Sequence, residues 1–505
     1  MAEEVPPLLR LPAELVQHIL SFLNPFSLAR VAQTCNALRT QSYDDRIWQP
    51  HVNEHSPTPI LDSRPLKSFR ELYVAHHPYW FLLRNQIWFA DTFPNGKLVI
   101  CRYDGNEGAI VAHAIVASRT SHTLQRWEKD LDVIIHSFDP YVGLNLERPV
   151  LRLGADSQKT DDQPNNFPSD RGYGQPSKYS KEVIMEMHAE SGLFSSFMLC
   201  RAIPEAAMFD GIRAWPPLRF PATTRARNST QDSYESAGHR PNALSEVSES
   251  NFRLRKWVEY NGRRSSPRLL DFTSPNGLAA ALGLTGRTLT TTVSTNGDGG
   301  MSIRMPEDIS TYATLPRSCY MPTAEKPWQG IYCGDYSGHG CEFIVVRQLT
   351  KDEAGPLPEG IDPLQGYFQG NDRPVLASNP DEDWSTQADS DREDAPTGRI
   401  EAIKLTGDIN IPRGEHTFIA PDIGHAGLVR IADEEVFRGA RIVRSAGHIA
   451  HHGFQMDEWM PSQLIMVSHD TLCQYWTSFG HMSYYRRVDL DALFNYSAAD
   501  GGEAC

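Results

Sequence analysis

The chain lacks the features that mark membrane, secreted and nucleic-acid-binding proteins. No apolar run reaches the roughly 18 residues of a membrane-spanning helix, and the opening residues MAEEVPPLLR lack the apolar core of a signal peptide. The 8 cysteines are scattered with no CxxC pair, which favours reduced thiols over a disulfide framework. The net charge of −15 argues against nucleic acid or an anionic membrane as a partner. We therefore expect a protein of the cytoplasm, the nucleus or both.

Signatures of nucleophilic and metal-dependent catalysis are also missing. The sequence contains no GxSxG, no HExxH and no paired Cys/His pattern. His448, His451 and His452 are closely spaced, but their flanking residues are typical of a strand and a turn, so the rings would not share a helical face. Zinc would also need a third ligand. The sequence therefore predicts no catalytic residue, no cofactor and no metal site.

What the sequence does contain is a helical pattern at residues 11–52. Pro12 suits a first helical turn, and apolar residues then recur at the spacing of one helical face. The Asn-Pro pair at 24–25 predicts a break, Ser27 is expected to cap a second helix, and Trp48 follows in a short third helix. A unit of about 40 residues cannot bury all of this apolar surface by itself. The apolar positions are Leu15, Ile19, Phe22 and Leu23 in the first helix and Leu28, Val31, Ala32, Cys35 and Leu38 in the second.

The order of these residues resembles the F-box. An LPxE start, the spaced apolar residues and a VAxTC run at 31–35 carry the resemblance, and the sequence departs from the family pattern at Asn36, where a basic residue is more common. The resemblance implies that residues 8–53 bind the Skp adaptor (S-phase-kinase-associated protein 1) and, through it, a cullin. The implied adaptor-binding residues are Leu11, Pro12, Leu15, Ile19, Leu20, Phe22, Leu23, Leu28, Val31, Cys35, Leu38 and Trp48.

After this segment the pattern changes from helical to β. Residues 54–78 form a linker in which 65–77 are expected to be helical, because Phe69, Leu72 and Tyr73 share a face. From residue 79 to 495, short apolar runs alternate with Gly- and Asn-rich turns, which predicts ten to twelve strands in a barrel or sandwich. The first run, WFLLRNQIWFAD, is expected to be a strand that opens a three-stranded meander. The fold class is therefore α+β, with a small all-α unit before a large barrel-like domain.

Three polar stretches interrupt the β region. Residues 156–181, 228–249 and 371–397 are low in apolar content, and the last is strongly acidic. Segments of this composition cannot bury enough apolar surface to offset the entropy lost on ordering, so we expect all three to be disordered insertions.

Two further motifs have more than one interpretation. Residues 328–346, WQGIYCGDYSGHGCEFIVV, predict a hairpin rather than a nucleotide loop, because no helix and no Lys-Ser/Thr pair follow the glycines. The basic patch formed by the run at 253–257 with Arg263 and Arg264 is either a solvated face or a clamp for a phosphate or carboxylate.

The β region resembles the F-box only protein 31 family. The motifs that carry this are PLKSFRELYVAHHPYWFLLRNQIWFAD, WPPLRFPA, PWQGIYCGDYSGHGCEFIVV and AIKLTGDINIPRGEHTF, in that order. The resemblance implies a β-rich, barrel-like domain that captures protein substrates, including by their C-terminal tail. Independently, the turns at 334–340 and 406–414 predict a concave rim at one barrel end. The rim residues we expect to contact substrate are Trp328, Asp335, Tyr336, His339 and Asp408.

Together these patterns favour a non-catalytic substrate receptor of an SCF (Skp–cullin–F-box) ubiquitin ligase, with the helical unit binding the adaptor and the β domain binding proteins destined for degradation. A competing hypothesis is a small-ligand-binding or metal-dependent β-barrel enzyme that carries a helical docking module. A third is an F-box scaffold that binds the adaptor without the ligase.

Overall fold

The computed structural model describes residues 6–90, 92, 95–120, 123–155, 177–188, 193–202, 240–261, 292–295, 301–336, 340–370 and 396–495. Within these ranges, every helix is too short or too polar to span a membrane. The expected fold class is confirmed, since a small helical unit precedes a large β-rich region that contains an eight-stranded barrel.

Side-chain caps set where three of the N-terminal helices begin, and two of these caps change the predicted boundaries. Asn24 accepts from the Ser27 N–H at 2.8 Å, so the second helix starts at Pro25 and not after Ser27 as the sequence predicted. The Cys35 sulfur accepts from the Leu38 N–H at 3.5 Å, so the stretch expected to be one helix is two. The helices are α1 (Ala13–Leu20), α2 (Pro25–Val31), α3 (Asn36–Ser42) and α4 (Asp45–Asn53), after a 3₁₀ turn at Pro7–Arg10.

The linker helix joins the helical unit to the β region by aromatic packing. It is shorter than expected, α5 (Phe69–His76), because Ser68 caps it by accepting from the Glu71 N–H at 3.1 Å. The ring of Tyr73 lies 5.5 Å from that of Trp48 and 6.0 Å from that of Trp80, between centroids. One buried apolar cluster runs from the N-terminal helices through α5 into the first sheet.

The run WFLLRNQIWFAD is not the single strand that the sequence predicted. Its first half forms helix α6 (Phe81–Asn85) and its second half strand β1 (Ile87–Ala90), with Gln86 between them at a positive φ of 59°. A continuous apolar run has no period that distinguishes a buried helix from a buried strand, which explains the error. The expected three-stranded meander is present, because β1, β2 (Lys97–Asp104) and β3 (Ala109–Ser118) pair antiparallel in succession.

The first sheet comprises ten strands, and β4 (Leu124–Arg126) and β5 (Ile134–His136) form a separate two-stranded ribbon. The order along the sheet is β6-β3-β2-β1-β12-β10-β9-β8, with β7 on β3 and β11 on β12. The remaining strands are β6 (Tyr141–Leu144), β7 (Leu151–Gly154), β8 (Val183–His188), β9 (Leu193–Leu199), β10 (Asn251–Asn261), β11 (Thr292–Thr295) and β12 (Met301–Ala313).

The second sheet closes into the barrel. Its order is β16-β15-β14-β13-β21-β20-β19-β18, and β16 pairs with β18 to complete the ring, while β17 extends from β18. Two short helices, α7 (Gln365–Phe368) and α8 (Leu490–Asn495), accompany it. The strands are β13 (Gly330–Asp335), β14 (Cys341–Leu349), β15 (Arg399–Lys404), β16 (His416–Ala420), β17 (Leu428–Ile431), β18 (Arg441–His451), β19 (Gln455–Ser468), β20 (Thr471–Trp476) and β21 (His481–Arg487).

The two sheets pack against each other through a shared apolar core. Side chains of the first sheet such as Phe89 and Ile100 form one buried cluster with Ile331 and Val345 of the barrel. The β4–β5 ribbon reinforces this contact: Trp127, in its turn, is buried among barrel residues and donates to Glu434 Oε1 at 3.1 Å. The barrel therefore has one outer face covered by the first sheet and its ribbon.

Several sequence predictions for the β region need correction. The described residues hold 21 strands rather than ten to twelve, because many are only three or four residues long. The predicted insertions lie mostly outside the described residues, but 177–181 and 240–249 are ordered, and Arg240 pairs with the buried Glu182. In the basic run, Arg253 and Trp257 are buried and Arg255 pairs with the buried Glu182, so these side chains do not form a solvated face.

Candidate functional site

The helical unit presents an apolar face that none of the described residues covers. Exposed fractions are 50% for Leu15, 44% for Ile19 and 76% for Phe22, large values for side chains of this type. Leu11 is also exposed, at 39%, as is Pro12. A contiguous exposed apolar patch on a soluble protein marks an interaction surface.

Other members of the expected adaptor-binding set form the core that supports this face. Leu20 and Leu28 are buried, and the buried Trp48 donates from its indole N–H to the Ser42 carbonyl at 2.7 Å. These three residues shape the face and do not lie on it. The remaining members, which are partly buried between core and surface, are Leu23, Val31, Cys35 and Leu38.

Sequence reasoning missed one residue of the face. Phe26 is 66% exposed, and the guanidinium of Arg30 lies 4.3 Å from its ring centroid. It was missed because the cap was assigned to Ser27, which left Phe26 outside the predicted helix. The pattern Asn-Pro with Ser three residues after the Asn is itself a capping signal and would have placed Phe26 in the first turn.

The expected substrate-binding residues of the β domain do not form one rim. Tyr336 and Asp408 lie around the buried Lys404 inside the barrel, whereas Asp335, at the end of β13, pairs with Arg119 at the seam with the first sheet. Trp328 precedes β13 at the opposite end, about 20 Å away along a strand of this length. His339 lies outside the described residues.

Lys404 is the centre of a charged cluster inside the barrel. Only 1% of its side chain is exposed, and its ammonium donates to Glu342 Oε2 at 2.7 Å and to Asp408 Oδ2. The ammonium also lies 4.1 Å from the ring centroid of Tyr336. Asp408 accepts from the backbone N–H of Ile411 at 2.7 Å, so the loop between β15 and β16 is tied to the cluster.

Burial and mutual charge interactions shift the pKa values of the three ionisable residues in this cluster, Lys404, Asp408 and Glu342. Burial raises the pKa of Glu342 to about 7, and the nearby Asp408 adds to this while Lys404 opposes it. Burial acts against ionisation of Lys404 and Asp408 too, but Glu342 and Asp408 together raise the pKa of Lys404, and Lys404 lowers that of Asp408. The cluster therefore keeps a fixed Lys404–Asp408 pair, and Glu342 titrates near neutral pH.

A cavity of about 310 Å³ lies at the seam between the first sheet and the barrel, near Asp335. Arg119, from the end of β3, forms an ion pair with Asp335 at its mouth. His136 of the ribbon and His481 of β21 also line it. Burial lowers the pKa of His481, and the neighbouring His136 lowers it further, while Asp335 opposes the shift.

A second cavity, of about 320 Å³, lies beside the first under the β4–β5 ribbon. Ser137, Phe138 and Tyr484 line both, so the two form a groove along the seam, which we call the seam groove. Hydroxyl groups and the Arg486 side chain give it polar partners, and Phe138 with Val436 gives it apolar surface. Sequence reasoning found only Asp335 here, because the ribbon residues are some 200 positions away and carry no motif.

Within the described residues there is no group of three or more His, Cys, Asp or Glu side chains that could hold a metal ion. His448 bonds instead to the His416 carbonyl at 2.9 Å and to Asp457 Oδ2 at 3.1 Å, and stacks on Trp459. Burial lowers its pKa, although both hydrogen bonds act in the opposite direction. His448 is thus a satisfied core histidine.

Two parts of the chain, the helical unit and the barrel, match models of known families. Residues 8–53 match the model of the F-box-like family. The N-terminal unit is therefore similar to an F-box-like domain. Residues 312–492, which run from the end of β12 to helix α8 and include the whole barrel, match the model of the cyclin D1 binding domain. No curated protein matches the chain at a significant level.

Proposed function

We propose that this protein is a substrate-recognition subunit of an SCF-type ubiquitin ligase, without catalytic activity of its own. The observation that carries the proposal is the uncovered apolar face of Leu15, Ile19, Phe22 and Phe26 on an F-box-like domain. Such a face fits the groove of an Skp adaptor, which would connect the chain to a cullin. The proposed location is the cytoplasm, the nucleus or both.

The join between helices and β region supports this role. A receptor must hold its substrate at a fixed position relative to the adaptor. Here the rings of Trp48, Tyr73 and Trp80 pack in sequence from α4 through α5 to the first sheet, and the His76 ring bonds the Gly108 carbonyl at 3.0 Å. Contacts of this kind favour a rigid joint over a flexible tether.

We infer that the substrate is a protein of the cyclin type and that it binds in the seam groove. The match to a cyclin D1 binding domain supports the substrate class, and it includes the barrel side of the groove, with Asp335, His481 and Tyr484. The groove supports the position, because it combines an ion pair, hydroxyl groups and apolar surface within reach of an extended peptide.

The adaptor half of the proposal is tested by charge insertion on the apolar face. Leu15→Asp or Ile19→Asp should each weaken adaptor binding by about 2 kcal/mol or more, as the loss of a central apolar anchor does. The matched control is Leu61→Asp, at an 80% exposed leucine outside the helices. Full-length variants would be compared by affinity purification with ubiquitination blocked, scoring both adaptor and cullin.

Two outcomes would overturn this half. Retention of the adaptor by both variants at the level of the wild type would remove the apolar face from the interface. Recovery of the adaptor without any cullin would point to a scaffold rather than a ligase subunit.

The substrate half is tested by filling the seam groove. Ser137→Trp places a large side chain where the two cavities meet and should reduce binding of a cyclin D1-type protein by about tenfold or more. Leu124→Trp, at an exposed ribbon position outside both cavities, is the matched control. Equal binding by both variants, with adaptor binding intact, would place the substrate elsewhere on the chain.

A further inference from the structure

The buried Lys404 ammonium contacts two carboxyl groups in the interior of the barrel. It donates to Glu342 Oε2 at 2.7 Å and to Asp408 Oδ2, and only 1% of the lysine side chain is exposed. The Tyr336 ring lies beside the ammonium, with its centroid 4.1 Å away. An amine held against a carboxyl group in a site with little access for water is arranged for condensation to an amide.

The Asp408 carboxyl group is held by backbone donors through its other oxygen. Oδ1 accepts from the N–H of Asn410 at 2.6 Å and from the N–H of Ile411 at 2.7 Å. Two N–H groups on one oxygen stabilise the oxyanion that forms when a nucleophile attacks the carbon of a carbonyl group. Oδ2, the oxygen that contacts Lys404, is then the oxygen that can leave.

Glu342 is placed to move protons during such an attack. Its Oε2 contacts the same ammonium that contacts Asp408, and burial raises its pKa to about 7. A carboxyl group with this pKa can take up a proton and return it near neutral pH. Glu342 and Asp408 raise the pKa of Lys404, so the neutral amine is a minor species and a reaction through it is slow.

A second lysine ion pair of the chain lacks this environment and serves as an internal control. Lys129 Nζ lies 2.9 Å from Asp433 Oδ1, but the Asp433 side chain is 68% exposed. Water can solvate both charges of such a pair and keep them ionised. Contact between an ammonium and a carboxylate is therefore common to both pairs, and burial with backbone donors distinguishes the barrel pair.

We propose that Lys404 and Asp408 condense to an intramolecular amide in the folded barrel, with Glu342 as the proton carrier. The ion pair seen here is the form before condensation. A proton passes from the Lys404 ammonium to Asp408 Oδ2, and the neutral amine attacks Cγ of Asp408, which leaves the negative charge on Oδ1. Glu342 takes a proton from the nitrogen and gives it to the Oδ2 hydroxyl, which departs as water when the C–O bond breaks. One C–N bond forms, one C–O bond breaks, one water is released, and nothing is oxidised or reduced.

The amide fixes a loop that joins the barrel to the first sheet. Residues 405–415 connect β15 to β16, and the Gly407 N–H in this loop donates to the Asn95 carbonyl at 2.8 Å. Arg413 donates to the Thr92 carbonyl at 3.0 Å. A covalent bond at Asp408 therefore restrains the segment that makes these contacts.

The experiment follows the mass of the full-length folded protein during incubation for days at neutral pH. Samples are denatured and digested with trypsin, which cuts after Lys404 within the stretch 400–413 that two arginine sites bound. Freshly folded protein should give two peptides from this stretch. Condensation removes the charged amine that trypsin recognises, so we expect one uncut 400–413 peptide that is lighter than its sequence mass by one water.

Matched variants distinguish this reaction from loss of water elsewhere in the chain. Lys404→Arg keeps a cation but cannot form the amide, so it should retain its full mass. Glu342→Gln keeps the Lys404–Asp408 pair without the proton carrier and should condense about a hundredfold more slowly. Cleavage after Lys129 should not change in any of the proteins. Urea unfolding of each variant verifies that the fold is retained.

Three results would overturn the proposal. The first is a folded wild type that keeps its full mass and is cut completely after Lys404. The second is loss of one water by Lys404→Arg at the rate of the wild type, which would place the reaction at another residue. The third is an equal rate of condensation in wild type and Glu342→Gln, which would remove Glu342 as the proton carrier.

Discussion

The F-box-like unit and the barrel distribute apolar and charged side chains in opposite ways. The helical unit leaves Leu15, Ile19 and Phe22 in solvent although they are apolar. The barrel buries Lys404 and Asp408 although they are charged. Each arrangement costs free energy in the isolated chain unless something else compensates for it.

The two regions differ in the source of the interactions that offset this free-energy cost. In the barrel it is internal, because Lys404 contacts the carboxylates of Glu342 and the backbone-anchored Asp408, and the Tyr336 ring, within its own fold. On the helices no described residue covers the exposed face, and under the proposed function the adaptor supplies the compensation. The barrel therefore compensates its buried charges within its own fold, whereas the helical unit leaves apolar side chains exposed within the described chain.

The largest effect should follow from removing the internal compensation. Lys404→Met keeps most of the side-chain volume but leaves Glu342 and Asp408 without a cation, which should destabilise the fold by about 3–5 kcal/mol. Urea unfolding measures this. Lys129→Met is the matched control: its partner Asp433 is 68% exposed, so the loss should stay within about 1 kcal/mol.

A measurement of adaptor binding by Lys404→Met tests whether the effect of this substitution is confined to the barrel. Lys404→Met should leave adaptor binding unchanged under conditions in which the variant is folded, since the cluster lies in the barrel. Equal stability of Lys404→Met and wild type would show that the charges are not compensated within the fold, and the contrast between the two regions would be lost.

The helical unit was largely predictable from the sequence because its signals are local. Helical spacing, a proline at a first turn and the order of apolar residues placed Leu15, Ile19 and Phe22 on one surface. The same signals could not distinguish the surface from the core beneath it. Leu28 and Trp48 carry the same apolar chemistry, and only tertiary packing places them in the buried cluster that continues into α5.

The barrel was predictable as a β-rich class but not as a site. Closure depends on the pairing of β16 with β18 and of β13 with β21, the latter between strands separated by about 150 residues, and no local pattern specifies such pairs. The hairpin of β13 and β14 was predicted correctly, since its turn is local. Lys404 was not anticipated in the interior, because a lysine in a strand is normally taken as solvent-facing.

The second prediction separates core from surface within the helical unit. Leu28→Ala should destabilise the protein by about 2–5 kcal/mol, because Leu28 is fully buried and its truncation leaves a cavity. Leu15→Ala should change stability by no more than about 0.5 kcal/mol and yet weaken adaptor binding. Thermal unfolding and adaptor titration on both variants test this. The opposite pattern, with Leu15 important for stability, would mean that the chain itself covers the face.

The third prediction concerns the proton on Glu342. Its pKa is about 7 in the folded protein against an ordinary 4.5, so between these values the folded state binds the proton more tightly than the unfolded state. The resulting stabilisation is complete below about pH 4.5 and is lost as the pH rises through about 7, a total change of about 3.4 kcal/mol. Glu342→Gln has no such proton and should not show this component.

Taking the difference in unfolding free energy between wild type and Glu342→Gln cancels the contributions of the other titrating groups. His76 and His113, whose pKa values burial lowers to about 4, make stability rise with pH between 4 and 6.5, the opposite direction. Both are present in wild type and variant, so the difference in unfolding free energy isolates Glu342. Measured by urea unfolding at about pH 5 and about pH 8, wild type should lose about 2–3 kcal/mol more than Glu342→Gln. An equal change in both proteins would mean that Glu342 is ionised throughout, and that the buried barrel cluster tolerates charge without a neutral carboxyl.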